Sequence, residues 1–393
     1  MGVMVAVPEA VRNGFDAASA LAADRPLVVA GAVVVVVVLL AGGSVVLRRV
    51  LRPTGERFAD VVAEFEEVTV LMHPNPDPDA MSCALAVKHL AESGDTDATL
   101  QYPGQIRHQE NRAFETVLDA SFERIDSASD LDDGEVVLVD HNEPRGFSGA
   151  ERVDPVAVVD HHPGGGEGRE FTDVRTDNGS CASIFAEYFR ETDWEPADPD
   201  ENGEAEEGRL PSPVATGLLY GIQSDTNQLT KGCSTAEFDA ARYLYPGIDE
   251  DRLDRVANPE VDAEVLDIKA TAITEREVRN AFAVSDVGTV SNVDAIPQAA
   301  DELLRLEGVT AVVVFGDKDG QIHLSGRSRD DRVHMGKALS AVVEDVPMGG
   351  AGGHARMGGG QLSIEHMEGL GPGDGLTRDQ FRERLFEAMS GEL

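Results

Sequence analysis

The hydrophobic pattern changes character twice along the chain. Residues 27–47, LVVAGAVVVVVVLLAGGSVVL, form an uninterrupted apolar run, long enough for the ~20 residues that a helix needs to cross a bilayer. A buried parallel strand would not run so far, and a cleaved signal peptide would show a basic start, a shorter apolar stretch and a small-residue cleavage site. Arg48, Arg49 and Arg52 follow the run, whereas only Arg12 and Arg25 precede it. The positive-inside rule therefore leaves residues 1–26 as a short outer tail and puts the long C-terminal part in the cytoplasm. The expectation is a single-pass protein of the cell membrane, with a juxtamembrane linker over 48–66 whose second half is amphipathic.

Beyond that linker the pattern is α/β. EVTVLMH (67–73), GEVVLVDH (134–141) and DPVAVVDHH (154–162) each read as a short apolar strand ending on polar residues, and ALAVKHLAES (84–93) reads as a helix after the first. Parallel strands with intervening helices gather their C-terminal ends at one sheet edge, where open α/β folds bind ligands. The stretch WEPADPDENGEAEEGRLPS (194–212) reads as a solvated loop with Trp194 as a packing anchor, and PVATGLLYGIQSDT (213–226) as an apolar helix. The pattern thus places a parallel-sheet domain over 67–235, a helical connector over 236–283 and a smaller α/β domain over 284–393. The last opens near Val284, has two strands around a D-K-D-G turn and a helix after Arg332, and then the Gly-rich MGGAGGHARMGGGQLSI.

Charge narrows the classes. The 33 basic residues face 72 acidic ones, a formal charge of -39. Acid spread this evenly fits a halophile's cytosol, where salt screens self-repulsion. It excludes bulk nucleic-acid binding and duplex DNA, which need a basic footprint. Cys83, Cys181 and Cys233 fit neither a disulfide framework nor a CxxC zinc pattern and read as small packed residues.

Chemistry concentrates at the strand ends. In His73-Pro74-Asn75-Pro76-Asp77-Pro78-Asp79, one imidazole and two carboxylates share a loop stiffened by three prolines; alone, this equally suits an ordinary turn. Asp140-His141-Asn142-Glu143, Asp160-His161-His162 and Asp225 supply three further clusters. Mixed carboxylate and imidazole donors suit Mn²⁺ or a similar divalent ion better than structural zinc. Two such ions ~3.5–4 Å apart need a bridging carboxylate and suit in-line displacement at phosphorus.

These four clusters resemble motifs I to IV of the DHH phosphoesterase superfamily over about residues 67–230. The segment carrying Ser325-Gly326-Arg327-Ser328 and Gly352-Gly353-His354 is similar to the DHHA1 substrate-binding domain. The resemblance implies that His73, Asp77 and Asp140 hold one metal, and that Asp79, Asp140, His161 and Asp225 hold the other. Catalysis would fall to Asp140 as the bridge and His162 facing the phosphate. Arg327, Ser328, Gly353 and His354 would bind substrate across an interdomain cleft, Arg327 through its bidentate fork. Asn142 and His141 would support the ligands from behind; Glu143 is left between support and solvent.

Two departures qualify the match. Relatives continue motif I as D-A-x-G-S, whereas Asp79-Ala80-Met81-Ser82-Cys83 lacks the glycine, which bears on how closely the next helix approaches the site. The DHNE of motif II is similar to family II pyrophosphatases and exopolyphosphatases, although the chain's end lacks their basic run. His89, His108, His323, His334 and His366 lie outside the motifs and read as surface or packing residues. The resemblance implies a phosphodiesterase for short or cyclic nucleotides (nanoRNA, pAp or cyclic di-AMP) acting through two-metal-activated water, with a homodimer admitted. A pyrophosphatase or exopolyphosphatase, and a membrane nucleotide sensor with an idle site, are the alternatives.

Overall fold

The structure, a computed structural model, describes residues 52–106, 109–199, 208–370 and 375–393. The predicted span over 27–47 and its flanking tail lie outside them; among the described residues no helix is long and apolar enough to cross a membrane. The chain divides into two compact units, one of residues up to 105 together with 120–253, the other of 106–119 together with 254–393.

In the first unit the elements run α1 (Thr54–Val62), β1 (Glu67–Leu71), α2 (Pro78–Ser93), β2 (Asp97–Pro103), β3 (Glu123–Ile125), β4 (Glu135–Val139), β5 (Ala157–Asp160), β6 (Phe171–Val174), α3 (Cys181–Glu191), α4 (Ser212–Asp225) and α5 (Thr235–Leu244). The six strands form one sheet in the order β3-β2-β1-β4-β5-β6, and every pairing is parallel. Continuous apolar runs such as Val137-Leu138-Val139 and Ala157-Val158-Val159, buried throughout, are what a parallel sheet covered on both faces requires. The order reverses between β1 and β4, so their C-terminal ends diverge into the crevice where doubly wound sheets bind ligands.

Helix α2 begins where it does because the Asp77 carboxylate accepts the Ala80 N–H at 3.2 Å and Pro78 occupies the first turn. The stretch expected as a linker contains α1, whose amphipathic period turns Phe58 inward. That ring is fully buried against Phe171, Phe185 and Tyr188, at centroid distances of 5.3, 5.7 and 5.5 Å. Burying such a side chain is worth ~1.5–3 kcal/mol, which makes α1 part of this unit's core.

The second unit carries α6 (Ala263–Thr274), β7 (Glu277–Arg279), β8 (Phe282–Thr289), α7 (Ala295–Leu303), β9 (Ala311–Lys318), β10 (Gln321–Ser328), α8 (Met335–Val343), β11 (Gly350–Gly353), β12 (Met357–Ser363) and α9 (Arg378–Ser390). Its sheet runs β11-β12-β10-β9-β8-β7, antiparallel except for the β8–β9 pair. Both faces are covered. Val313 and Phe315 of β9 point to one core with Leu339, Phe381 and Leu385, whereas Val312 and Val314 point to another with Ile296, Ala299 and Leu303. The expected D-K-D-G turn joins β9 to β10 through Asp319 and Gly320, both at positive φ (50° and 76°), the left-handed pair of a type I′ hairpin.

Candidate metal centre

The C-terminal ends of β1, β4 and β5, the first turn of α2 and the end of α4 bring together His73, Asp77, Asp79, Asp140, His161 and Asp225. Each ligand has a local cause. The His73 Nδ1 lies 3.1 Å from the Pro74 carbonyl, which leaves Nε2 facing Asp77 (3.5 Å) and Asp140 (3.4 Å). Asp140, the residue after β4, lies in the left-handed region (φ 59°); such conformations in non-glycine residues concentrate at functional sites. His161 Nδ1 is held 3.2 Å from the Asn178 carbonyl, so its Nε2 faces Asp79, Asp140 and Asp225 at 3.8, 3.3 and 3.4 Å. Asp79 is fully buried, and its two oxygens accept the Cys181 and Ala182 N–H groups at the start of α3, at 2.6 and 2.8 Å.

These donors gather into overlapping groups: His73–Asp77–Asp140, Asp79–His161–Asp225 and Asp140–His161–His162. Both oxygens of Asp140 and the Nε2 of His161 are buried without a hydrogen-bond partner among the described residues. Leaving such atoms unpaired costs ~1–3 kcal/mol each, so their burial needs a compensating partner. Donors about 2.1 Å from a shared ion sit ~3.0–3.4 Å apart, close to the separations measured here. The residues fit divalent metal.

The electrostatics agree. Burial opposes a charge on His73, yet Asp140 and Asp77 outweigh it and push the imidazole up to about 11; His161, likewise buried, is driven up to about 12 by Asp140, Asp225 and Asp79. Burial works against Asp140 too, but the flanking imidazoles of His161 and His73 hold it well below the usual carboxylate range. Asp79 and Asp225 are pushed up, first by burial and then by neighbouring carboxylates. Carboxylates in one small volume repel unless cations sit among them, and without metal protonated imidazoles take that place.

His162 faces outward and is half exposed. Its orientation comes from Asp160, a fully buried carboxylate to which the sequence pattern assigns no role of its own. The Oδ1 of Asp160 accepts His161 N–H (2.7 Å), His162 N–H (3.0 Å) and His162 Nδ1–H (2.9 Å), while Oδ2 accepts Asn142 Nδ2 at 2.6 Å. The Asp160 bond raises the His162 pKa, and the imidazole is left with Nε2 toward solvent. Asn142 also donates to the His162 carbonyl at 3.2 Å. His141 lies buried with Nδ1 2.9 Å from the Val139 carbonyl, and burial lowers its pKa to about 4, so it packs as a neutral ring behind the loop.

The absent motif I glycine has a structural counterpart. Ser82 stands in its place and donates to the Asp79 carbonyl at 2.9 Å; opposite it on α4 is Gly221, where a Cβ would meet Ser82 Oγ at 2.5 Å and Asp79 Cα at 3.2 Å. Close approach of α2 and α4 is thus provided from the other helix. Glu237 is a second residue unmarked in the motifs: one oxygen accepts the Ser234 N–H, and the other the Gly179 N–H. Its signal was the capping box Ser234-x-x-Glu237.

The proposed substrate residues lie in the second unit. Register sets Arg327 of β10 opposite Met357 of β12, whose carbonyl accepts the His354 N–H at 2.8 Å, so β12 stands between Arg327 and the end of β11 that carries His354. Arg327 makes a two-toothed pair with Asp301 of α7 (2.6 and 3.2 Å) and reaches Ser325 Oγ at 3.0 Å. Ser328 is buried, its Oγ tied to the backbone of Asp330. Gly353 adopts φ 142°, and a Cβ there would meet the Met357 carbonyl at 2.4 Å. Of the cysteines, Cys83 and Cys181 are buried and Cys233 is partly exposed. Trp194 packs on His89 and Phe189, at centroid distances of 4.9 and 5.6 Å.

A doubly wound domain with a carboxylate–imidazole cluster at its switch point defines a class of metal-dependent hydrolytic scaffolds. The chain carries a DHH-family N-terminal domain over residues 67–222 and a DHHA1 domain over 279–370; members of the DHH family are metal-dependent phosphoesterases. An uncharacterized protein of Methanocaldococcus jannaschii is 32% identical over 324 residues, 81% of this chain and 63% of that one. A cyclic-di-AMP phosphodiesterase of Geobacillus thermodenitrificans is 27% identical, covering 84% of this chain and 49% of its own length. The chain therefore spans about half to under two thirds of the length of these relatives. An exopolyphosphatase-related protein from Bacteroides fragilis superposes with a TM-score of 0.58 at 15% identity, over 86% of this chain and 96% of that one, a likeness of fold.

Proposed function

We propose that the chain is a metal-dependent phosphodiesterase for short linear or cyclic nucleotides, with cyclic di-AMP, pAp and nanoRNA as candidate substrates. Two divalent ions, Mn²⁺ by the mixed donor set, would serve it. The observation that carries the reading is Asp140, a buried carboxylate with both oxygens free of hydrogen bonds between the Nε2 atoms of His73 and His161. Similarity to a cyclic-di-AMP phosphodiesterase supports the nucleotide class.

Bound divalent cations supply charge neutralisation at the phosphoryl group and acidify the attacking water. The chain's own residues do the rest. Asp140 stays ionised and belongs to two of the three donor groups, one with His73 and Asp77 and one with His161 and His162. Asp160 fixes the His162 ring through Nδ1, which frees Nε2–H to donate to a phosphoryl oxygen as negative charge develops there. Arg327, Ser328, Gly353 and His354 are proposed to recognise the rest of the nucleotide, and residues 27–47 to hold the protein on the cytoplasmic face of the cell membrane. The deciding experiment is a panel of cyclic di-AMP, pApA, pAp, short RNA and pyrophosphate, offered to the full chain with Mn²⁺ in molar KCl. Ring opening of cyclic di-AMP to pApA, or release of mononucleotides or phosphate from the linear nucleotides, is expected. Turnover of pyrophosphate alone would make it a pyrophosphatase, and nucleotide binding without product a sensor.

A further inference from the structure

The loop after Asp225 and the segment before α3 come from distant parts of the chain, yet they are locked together. After α4 the backbone turns through three consecutive left-handed residues, Asn227, Gln228 and Leu229 (φ 47°, 60° and 59°). Such conformations cost roughly 1–2 kcal/mol per residue outside glycine, so the surroundings must hold them. The turn leads to α5, whose capping box uses one oxygen of Glu237 on the Ser234 N–H at 2.6 Å. The other oxygen leaves the helix altogether. It accepts the Gly179 N–H at 2.8 Å and lies 2.9 Å from Ser183 Oγ, and the side chain is fully buried. Gly179 itself lies so near the turn that a Cβ would meet the Gly232 carbonyl at 2.3 Å.

The segment that Glu237 pins contains the groups that aim two metal ligands. Asn178 supplies the carbonyl beside His161 Nδ1, while the Cys181 and Ala182 N–H groups hold the Asp79 carboxylate. On its other side the pin anchors the loop that follows Asp225. Asp79, His161 and Asp225 form one donor group; the bracketed segment aims the first two, and the bracket holds the loop that follows the third. His73 and Asp77 owe their placement to the Pro74 carbonyl and the Ala80 N–H, neither of which Glu237 contacts.

Resting on the metal-dependent reading above, we propose that Glu237 is a positioning residue that sets the metal affinity of the Asp79–His161–Asp225 group and leaves the His73–Asp77–Asp140 group unaffected. Residues that orient metal ligands from behind typically change affinity by about 10–100-fold when replaced.

The test is a Mn²⁺ titration of the full chain, following free ion by electron paramagnetic resonance, with the isosteric variant Glu237→Gln and with Gly179→Ala, which disturbs the bracket from its other side. The wild-type chain is expected to show two classes of site. In both variants one class should weaken by about 10–100-fold while the other stays within about twofold, and kcat should recover toward wild type as Mn²⁺ is raised. Equal weakening of both classes would mark Glu237 as a general stabiliser and overturn the proposal, as would unchanged titrations. Failure of the wild-type chain to bind Mn²⁺ at all would instead overturn the metal-dependent reading on which the proposal stands.

Discussion

Asp160→Asn is the substitution whose effect follows most directly from the geometry. The carboxylate is buried and accepts four hydrogen bonds, three at Oδ1 and one at Oδ2, between 2.6 and 3.0 Å. Asparagine has nearly the same shape but one acceptor oxygen and no charge. If that oxygen faces the histidine pair, its amide meets the Asn142 amide donor at the 2.6 Å position, two N–H groups facing each other. Hydrogen bonds to a charged acceptor exceed neutral ones by roughly 1 kcal/mol, and an unpaired buried donor costs ~1–3 kcal/mol. Allowing for relaxation and non-additivity, the variant should lose ~2–4 kcal/mol of stability. The loss of His162 orientation should lower kcat by about 10–100-fold, with a smaller change in KM. Urea unfolding at fixed Mn²⁺ and steady-state kinetics on the best substrate of the panel give both quantities. An unfolding midpoint and kcat both matching wild type would refute the assignment of Asp160 as the residue that orients His162.

Three other outcomes are expected. Asp140→Ala should lower turnover by about three orders of magnitude or more, ~4 kcal/mol of barrier, with an unchanged circular dichroism spectrum; retained activity would remove Asp140 from the centre of the site. His73 and His161 have folded-state pKa values raised to about 11 and about 12 from an ordinary 6.5. The stability their carboxylate contacts give the metal-free protein is therefore fully present below about pH 6.5 and lost as pH rises through about 11 and 12. At neutral pH metal must displace these protons, so Mn²⁺ binding should release about two protons and weaken as pH falls. Calorimetry in buffers of different ionisation heat measures this, and no net release would contradict it. Gly221→Ala should destabilise by ~1–3 kcal/mol through overlap with Ser82, and adding Ser82→Gly should restore part of the loss in thermal melts.

The parts of the protein legible in its sequence are those written in local chemistry. Apolar runs of β1, β4 and β5 that end on Asp and His announce strands and site together, because strand ends and ligands share the same few residues. The D-K-D-G turn likewise encodes its own backbone geometry. What escaped was whatever depends on how side chains meet in the folded protein rather than on the local pattern. Asp160 has the look of one more acid at a strand end, and its four donors come from the DHH triplet itself and from Asn142. The amphipathic period of α1 was legible within the expected linker, but not its place in the core, which arises from Phe171, Phe185 and Tyr188, more than a hundred residues away. The glycine missing after Asp79 could be understood only once Gly221 was found facing it.

The reversal of strand order between β1 and β4 also bears on how the chain is made. His73, Asp77 and Asp79 leave the ribosome well before Asp140, and Asp225 follows later still. A nascent chain that has formed only β1, α2 and β2 offers an ion three donors, His73, Asp77 and Asp79, too few to hold it firmly. Firm capture requires the chain to cross back and lay β4 and β5 beside β1, then add α4, so metal retention reports that the whole parallel sheet is in place. Affinity for a divalent ion would then appear only after the last crossover has closed, so that binding reads out the domain's assembly.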